Sequence, residues 1–308
     1  MKNNNIAILL PFKDHFTKEN AGSASIWVKD FNLYSKYKNK ITIFGNTPNL
    51  KNIITKNIYK NLPLKNVSFG SKNASYVDEF IKHLSKNKYK LIEIHNRPSY
   101  IKQILKDNAS TKIVLIFHNN PLSLGGSKTI DERIYLLDVC CKLIFVSNWV
   151  KEKFFEGFEK KNHVNCEVIY PSIEPIKKFP KKKKIISFVG KLNRSKGFHI
   201  FGTAIIKILE KYKDWKSIVI GDEPREKYHF KHKNLKYMGW IPHNETLKLY
   251  NETSISVVPS EWEEPFGRTA VEAASRGCAT VISKKGGLVE TVPHTLFLTK
   301  LNHRELYE

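Results

Sequence analysis

Short apolar runs alternate with amphipathic stretches along almost the whole chain. The runs are "NIAILLPF" (5–12), "KITIFG" (40–45), "KLIEIHN" (90–96), "KIVLIFHN" (112–119), "KLIFVS" (142–147) and "CEVIYP" (166–171). Between them lie "IWVKDFNLYSKY", "YVDEFIKHLSKN", "SYIKQILKDN", "ERIYLLDVC" and "VKEKFFEGF", whose apolar positions recur at helical spacing. Strands of five or six residues with β-branched side chains, separated by helices, predict a parallel sheet with helices on both faces. The pattern then pauses at "SIEPIKKFPKKKK" (172–184), where prolines and a lysine block read as a solvated linker. A second alternation follows: "IISFVG" (185–190), "KSIVIGD" (216–222), "LKYMGW" (235–240), "ISVVPS" (255–260) and "ATVIS" (279–283), with helical stretches between. The sequence therefore predicts an α/β chain of two doubly wound, Rossmann-like domains. They span residues 1–172 and 185–308, joined by a linker over 173–184. Two such domains leave a cleft, and open α/β sheets bind ligands beyond the carboxyl ends of their strands. The site is expected in that cleft.

Composition adds bounds. At 308 residues, with 41% apolar and 12% aromatic positions, the chain can bury two cores. Cys140, Cys141, Cys166 and Cys278 are scattered without a CxxC, so a reduced, cytoplasmic chain is expected, and none reads as a nucleophile or metal ligand. The first apolar run is short and holds a proline, unlike a secretory signal, and no segment approaches the length of a spanning helix. The net charge is +23. Residues 1–184 carry 33 Lys and Arg against 15 Asp and Glu; residues 185–308 carry 19 against 14. The first part is the basic one, which fits nucleic acid, an anionic membrane or phosphorylated substrates. A codon bias toward lysine, asparagine and isoleucine explains part of the charge as well.

The unusual residues fall at strand ends. His118 and "HNRP" (95–98) each follow an apolar run. Gly22 and Ser23 lie after the first. "GKLNRSKG" (190–197) follows "IISFV" and opens a helix, bringing Lys191, Arg194 and Lys196 to a helix N-terminus, a natural anion site. "EEPFG" follows "ISVVPS". There Pro265 fits a first helical turn, and the N–H groups of Phe266, Gly267 and Arg268 would lack helical partners. Dipole and capping effects account for Glu264 at the helix start; they account poorly for Glu272, which lies past it. Each feature alone has an ordinary structural explanation. Their convergence suggests a ligand site. No Walker A motif and no GxGxxG occurs.

Taken together, these blocks resemble the retaining, nucleotide-sugar-dependent glycosyltransferases of the GT-B fold, family 4 (glycosyl transferases group 1). "VVPSEWEEPFGRTAVEAASRGCATVISKKGGLVETV" (257–292) matches the family's E-x7-E block at Glu264 and Glu272, and its Gly-Gly-x-x-Glu at Glu290. "FVGKLNRSKG", "YMGWIPHNETLKLYNETSISVVPS", "VSNWVKEKF" and "VIYPSIEP" match further blocks in order. The resemblance implies that Lys191, Arg194 and Lys196 contact a donor diphosphate, with Lys191 standing where arginine is usual. It places Glu272 on the ribose, Glu264 beside the transferred sugar, and the N–H groups of Phe266 and Gly267 on sugar or phosphate oxygens. His118 would reach the sugar from the first domain, and Gly22 would allow the diphosphate or acceptor to approach. Glu264 and His118 are thus the expected catalytic residues. Family members usually continue for several dozen residues past this chain's last one, so the second domain is expected to be incomplete at its C-terminus.

The implied reaction moves a sugar from a UDP or GDP sugar to an acceptor hydroxyl with retention of configuration. It needs no metal and no cofactor beyond that co-substrate. The expected setting is cell-surface polysaccharide or lipopolysaccharide assembly. The basic first domain would rest on an anionic membrane carrying a lipid-linked acceptor, so the chain would be cytoplasmic or peripheral at the inner face of the cytoplasmic membrane. Three readings stand beside this one: glycoside hydrolysis by Glu264 and Glu272, a nucleotide-sugar epimerase of GT-B fold, and a non-catalytic basic protein binding membrane or nucleic acid. The phosphate-binding lysines argue against the first. The absence of a helix-turn-helix or RNP-type signature argues against nucleic acid.

Overall fold

A computed structural model describes residues 6–64, 71–108, 110–174, 176, 178 and 180–308. The chain divides into two compact units, Met1–Ser172 and Ile173–Glu308. The stretch expected as a linker thus groups with the second unit. Lys182 shows why: its ammonium donates to the carbonyls of Tyr250 (2.9 Å) and Arg276 (2.6 Å), and burial lowers its pKa. The lysine block is anchored through Lys182, while Lys181, Lys183 and Lys184 stay exposed, and the strand that follows begins at Lys183, two residues earlier than the apolar pattern indicates.

In the first unit the order is β1 (Ile6–Leu9), α1 (Ser23–Tyr34), β2 (Ile41–Gly45), β3 (Tyr59–Asn61), α2 (Lys72–Leu84) and β4 (Leu91–His95). Then come α3 (Ser99–Asp107), β5 (Lys112–Phe117), α4 (Ile130–Val139), β6 (Lys142–Phe145), α5 (Asn148–Phe154) and β7 (Cys166–Val168). The strands form one parallel sheet in the order β3-β2-β1-β4-β5-β6-β7. Ile6 pairs with both Ile41 and Leu91, so β1 sits centrally. Strands buried on both faces need apolar side chains at consecutive positions. Accordingly Ile113, Leu115, Ile116 and Phe117 of β5 are all buried. Phe117, Phe145 and Phe154 pack ring on ring at 5.3–5.5 Å, fixing α5 to β5 and β6.

The second unit runs β8 (Lys183–Val189), α6 (Phe198–Lys211), β9 (Lys216–Ile220), β10 (Leu235–Gly239), α7 (His243–Glu252), β11 (Thr253–Val258), α8 (Arg268–Ser275), β12 (Ala279–Ser283), β13 (Leu296–Leu298) and α9 (His303–Tyr307). Its parallel sheet has the order β10-β9-β8-β11-β12-β13. Ile186, Phe188, Phe198, Phe201, Ile205, Leu209, Val219 and Val257 form its main core, with Leu306 of α9 packed against it. Both sheets reverse their winding beside the first strand of the unit, between β1 and β4 and between β8 and β11. Loops leaving such a switch point diverge, which opens the crevice where ligands of this fold bind. Gly22 lies in the loop after β1. Lys191, Arg194 and Lys196 follow β8, and Glu264 follows β11.

Candidate functional site

In the second unit, the loops after β8 and β11 are stitched together. Gly197 has φ +70° and caps the N-terminus of α6. A Cβ there would lie 1.8 Å from the Pro259 carbonyl oxygen, so only glycine allows the two loops to meet. The Ser195 carbonyl accepts from the N–H groups of Glu261 and Trp262, each at 2.9 Å. On the far side of the β11 loop, Gly287 N–H donates to the Glu264 carbonyl at 2.7 Å.

Inside this frame Lys196 Nζ lies 2.6 Å from Glu264 Oε1. Ser260 Oγ lies 2.8 Å from the same oxygen. The Glu264 carboxylate is largely buried, while a third of the Lys196 side chain remains exposed. An ammonium has three donors, so Lys196 can hold Glu264 and still offer hydrogens to an anion. Arg194 is mostly exposed; its guanidinium is 3.5 Å from Glu261, and its backbone N–H donates to Glu226 at 2.9 Å. Lys191, also exposed, adds to the positive field acting on Glu223. The arginine side chain of Arg225 holds that carboxyl down to about 2, chiefly by hydrogen bonding. The three cations therefore lie on the loop that leads into the positive end of α6.

Helix α8 starts later than the sequence suggests. Gly267 is its N-cap, with φ +102°, and a Cβ there would press on Leu288. The left-handed turn places Pro265 and the buried Phe266 ahead of the helix. The N–H groups of Phe266 and Gly267 therefore belong to the loop and not to the first helical turn. Glu272 is one turn inside and buried. His243 Nε2 is 2.9 Å and Arg268 Nε 3.3 Å from its Oε1. Burial pushes this carboxyl's pKa up, but the hydrogen bond from His243 and the Arg268 charge outweigh it and leave the pKa lowered.

In the first unit, Gly22 is the N-cap of α1. Its N–H donates to Asp14 Oδ1 (2.9 Å), and that of Ala24 to Asp14 Oδ2 (3.2 Å). A Cβ at Gly22 would lie 2.7 Å from that carboxylate, so the loop packs there on a glycine. His118 follows β5 and is nearly buried. Its Nε2 is 2.9 Å from His95 Nδ1, and its ring meets Trp27 edge-on at 5.3 Å.

The structure brings Lys196 and Glu264 into contact and keeps Lys191 and Arg194 on the same loop. His118 and Gly22 belong to the other compact unit. Sequence reading missed Asp14, His243 and Ser260. His243 stood inside the quoted block "YMGWIPHNETLKLY", at the start of a helix, which was the available signal. Asp14 and Ser260 gave none beyond lying in the right loops. Among the described residues, no group of three His, Cys, Asp or Glu is placed to hold a metal ion. No described helix is long and apolar enough to cross a membrane.

Fold and loops together define a class: two Rossmann-like α/β units of the GT-B glycosyltransferase fold. The pattern of the family "Glycosyl transferases group 1" matches residues 170–305. The chain is 27% identical over 290 residues to Methanocaldococcus jannaschii "Uncharacterized glycosyltransferase MJ1607", covering 82% of this chain and 73% of that protein. It is 25% identical over 251 residues to YtcC of Bacillus subtilis, 71% of this chain but only 61% of the relative's length. Two solved structures superpose along almost its whole length. One is Anabaena Alr3699/HepE in complex with UDP and glucose, with a TM-score of 0.72 at 17% identity, over 98% of this chain and 87% of that one. The other is WaaG, a glycosyltransferase involved in lipopolysaccharide biosynthesis, with a TM-score of 0.68 at 14% identity, over 98% and 90%. The likenesses are thus to glycosyltransferases, with the family pattern confined to residues 170–305.

Proposed function

We propose that the chain transfers a sugar from a nucleoside-diphosphate sugar to an acceptor hydroxyl with retention of configuration. The observation that carries this reading is the Lys196–Glu264 pair at the switch point of the second sheet, beside the N-terminus of α6. A diphosphate needs cations and helix-end amides. A sugar being transferred needs a carboxylate held in place beside them. Stitching two loops through Gly197 and the Ser195 carbonyl supplies both within one frame. In this reading Lys191, Arg194 and Lys196 stabilise the departing diphosphate, where negative charge develops in the transition state. Glu264 orients the sugar. Glu272, held by His243 and Arg268, accepts from the ribose hydroxyls, and the loop N–H groups of Phe266 and Gly267 face sugar or phosphate oxygens. His118 is assigned to the transferred sugar, and Gly22 to the diphosphate or acceptor.

UDP is the favoured nucleotide because HepE is solved with it, and GDP is the second choice. The likeness to WaaG supports a role in cell-surface polysaccharide or lipopolysaccharide assembly. The basic first unit supports a cytoplasmic chain resting on an anionic membrane with a lipid-linked acceptor. A thermal-shift screen of UDP, GDP and ADP sugars tests the core of the reading. One nucleotide series should raise the melting temperature, and Lys196→Ala should abolish that rise. No shift with any series at millimolar ligand would overturn it. Co-sedimentation with anionic vesicles at low ionic strength tests the membrane partner.

A further inference from the structure

Strand β4 carries two ionisable side chains on one face of an otherwise apolar strand, Glu93 and His95. His95 is fully buried. Its Nε2 is 2.7 Å from Glu93 Oε1, and its Nδ1 is 2.9 Å from His118 Nε2. The two imidazoles stack at 5.2 Å, inclined by 20°. Glu93 lies at the other end of this line, partly exposed. It helps wall a cavity of about 500 Å³ with Ile8, Trp27, Ile116 and Ile144. Backbone contacts pin the His118 end: Asn96, at φ +56°, accepts through Oδ1 from the N–H groups of His118 (3.2 Å) and Asn119 (3.1 Å).

With Glu93 ionised and His95 neutral, chemistry sets the direction of this chain. A carboxylate only accepts, so His95 Nε2 carries a hydrogen. A neutral imidazole has one N–H, so His95 Nδ1 accepts and His118 Nε2 donates. Burying two linked imidazoles beside a carboxylate costs desolvation that a valine or leucine would avoid. We propose that Glu93 and His95 are positioning residues that hold His118 in its Nε2–H form, with Nδ1 as the acceptor nitrogen of the ring. The functional part of this proposal rests on the reading of His118 as a sugar-site residue; the tautomer itself does not.

Nitrogen-15 NMR of the histidine-labelled chain tests it, with the His118→Gln variant assigning the His118 signals. In the natural chain, His118 and His95 should both show the pattern of a protonated Nε2. In His95→Phe, and in Glu93→Leu should the former fail to fold, His118 should show both tautomers. Donor-to-acceptor transfer should then lose roughly tenfold in kcat with little change in the donor KM, as expected when a group that orients a reacting residue is removed. Glu93→Gln, which keeps an acceptor oxygen, should retain most activity. A protonated Nδ1 on His118 in the natural chain would overturn the proposal. So would an unchanged Nε2–H pattern in the folded variants. If the natural chain binds no nucleotide and transfers no sugar, the glycosyltransferase reading fails, and the NMR result still decides the tautomer.

Discussion

Lys196 and Glu264 meet at 2.6 Å across 68 positions of sequence. Separate roles on the diphosphate and on the sugar are expected for them, yet each is the other's nearest counter-charge. Removing Lys196 leaves a mostly buried carboxylate with Ser260 as its remaining partner. A cycle of Lys196→Ala, Glu264→Gln and the double variant should show a coupling of about 1–2 kcal/mol in urea unfolding. Additive effects would mean the pair is held by the loops alone. Glu264→Ala should also remove most transfer while leaving nucleotide affinity nearly unchanged. Equal loss of both would remove Glu264 from the sugar.

Gly197 makes the loop contact possible. An alanine there would combine left-handed backbone with a Cβ 1.8 Å from the Pro259 carbonyl. Gly197→Ala should therefore cost about 2–4 kcal/mol, because strain and backbone displacement add. The urea midpoint should fall, and the diphosphate loop should lose nucleotide affinity with it. A stability within 0.5 kcal/mol or so of the natural chain would show that the loops can separate at little cost.

Much of this architecture is legible in the sequence, because strands buried on both faces leave runs such as "KIVLIF" that no helix spacing explains. The eleven apolar runs that predict strands each contain one. The strands that escape are β3 and β13, three-residue edges too short for a period. The site is legible as loops but not as contacts. Glu264 and Lys196 can each be picked from their blocks, while their pairing depends on how two loops cross. The start of α8 is misplaced because Pro265 gives a stronger helix signal than the left-handed turn at Gly267. Glu93 and His95 leave a trace, two polar residues at strand spacing in an apolar run, but the sequence singles out His95 only by its place at the strand's end.

Asp14 ties the loop after β1 to the start of α1 by accepting from the N–H groups of Gly22 and Ala24. These are amides that a helix leaves without partners. Asp14→Ala should cost about 0.5–2 kcal/mol, the usual range for a lost cap. Asp14→Asn, with one acceptor oxygen in place of two, should fall between. Amide exchange over residues 22–26 should quicken in the same order. Equal stability of all three chains would show that water replaces the carboxylate freely.

Glu272 gives a pH dependence whose sign can be worked out. Its folded pKa is lowered from 4.5, so the folded state favours the charged form. The stability it contributes is fully present above about pH 4.5 and is lost as the pH falls through the lowered folded value. Comparing unfolding of the natural chain with Glu272→Gln between pH 7 and pH 3 isolates this group from the other carboxylates. The stability advantage of the natural chain should be constant from pH 7 to about pH 5 and should shrink below that. His243→Ala should reduce the advantage wherever Glu272 is charged, since it removes the hydrogen bond that offsets the burial of Glu272. A gap that widens on acidification would mean that Glu272 is held protonated. That outcome would also remove it as an acceptor for ribose hydroxyls.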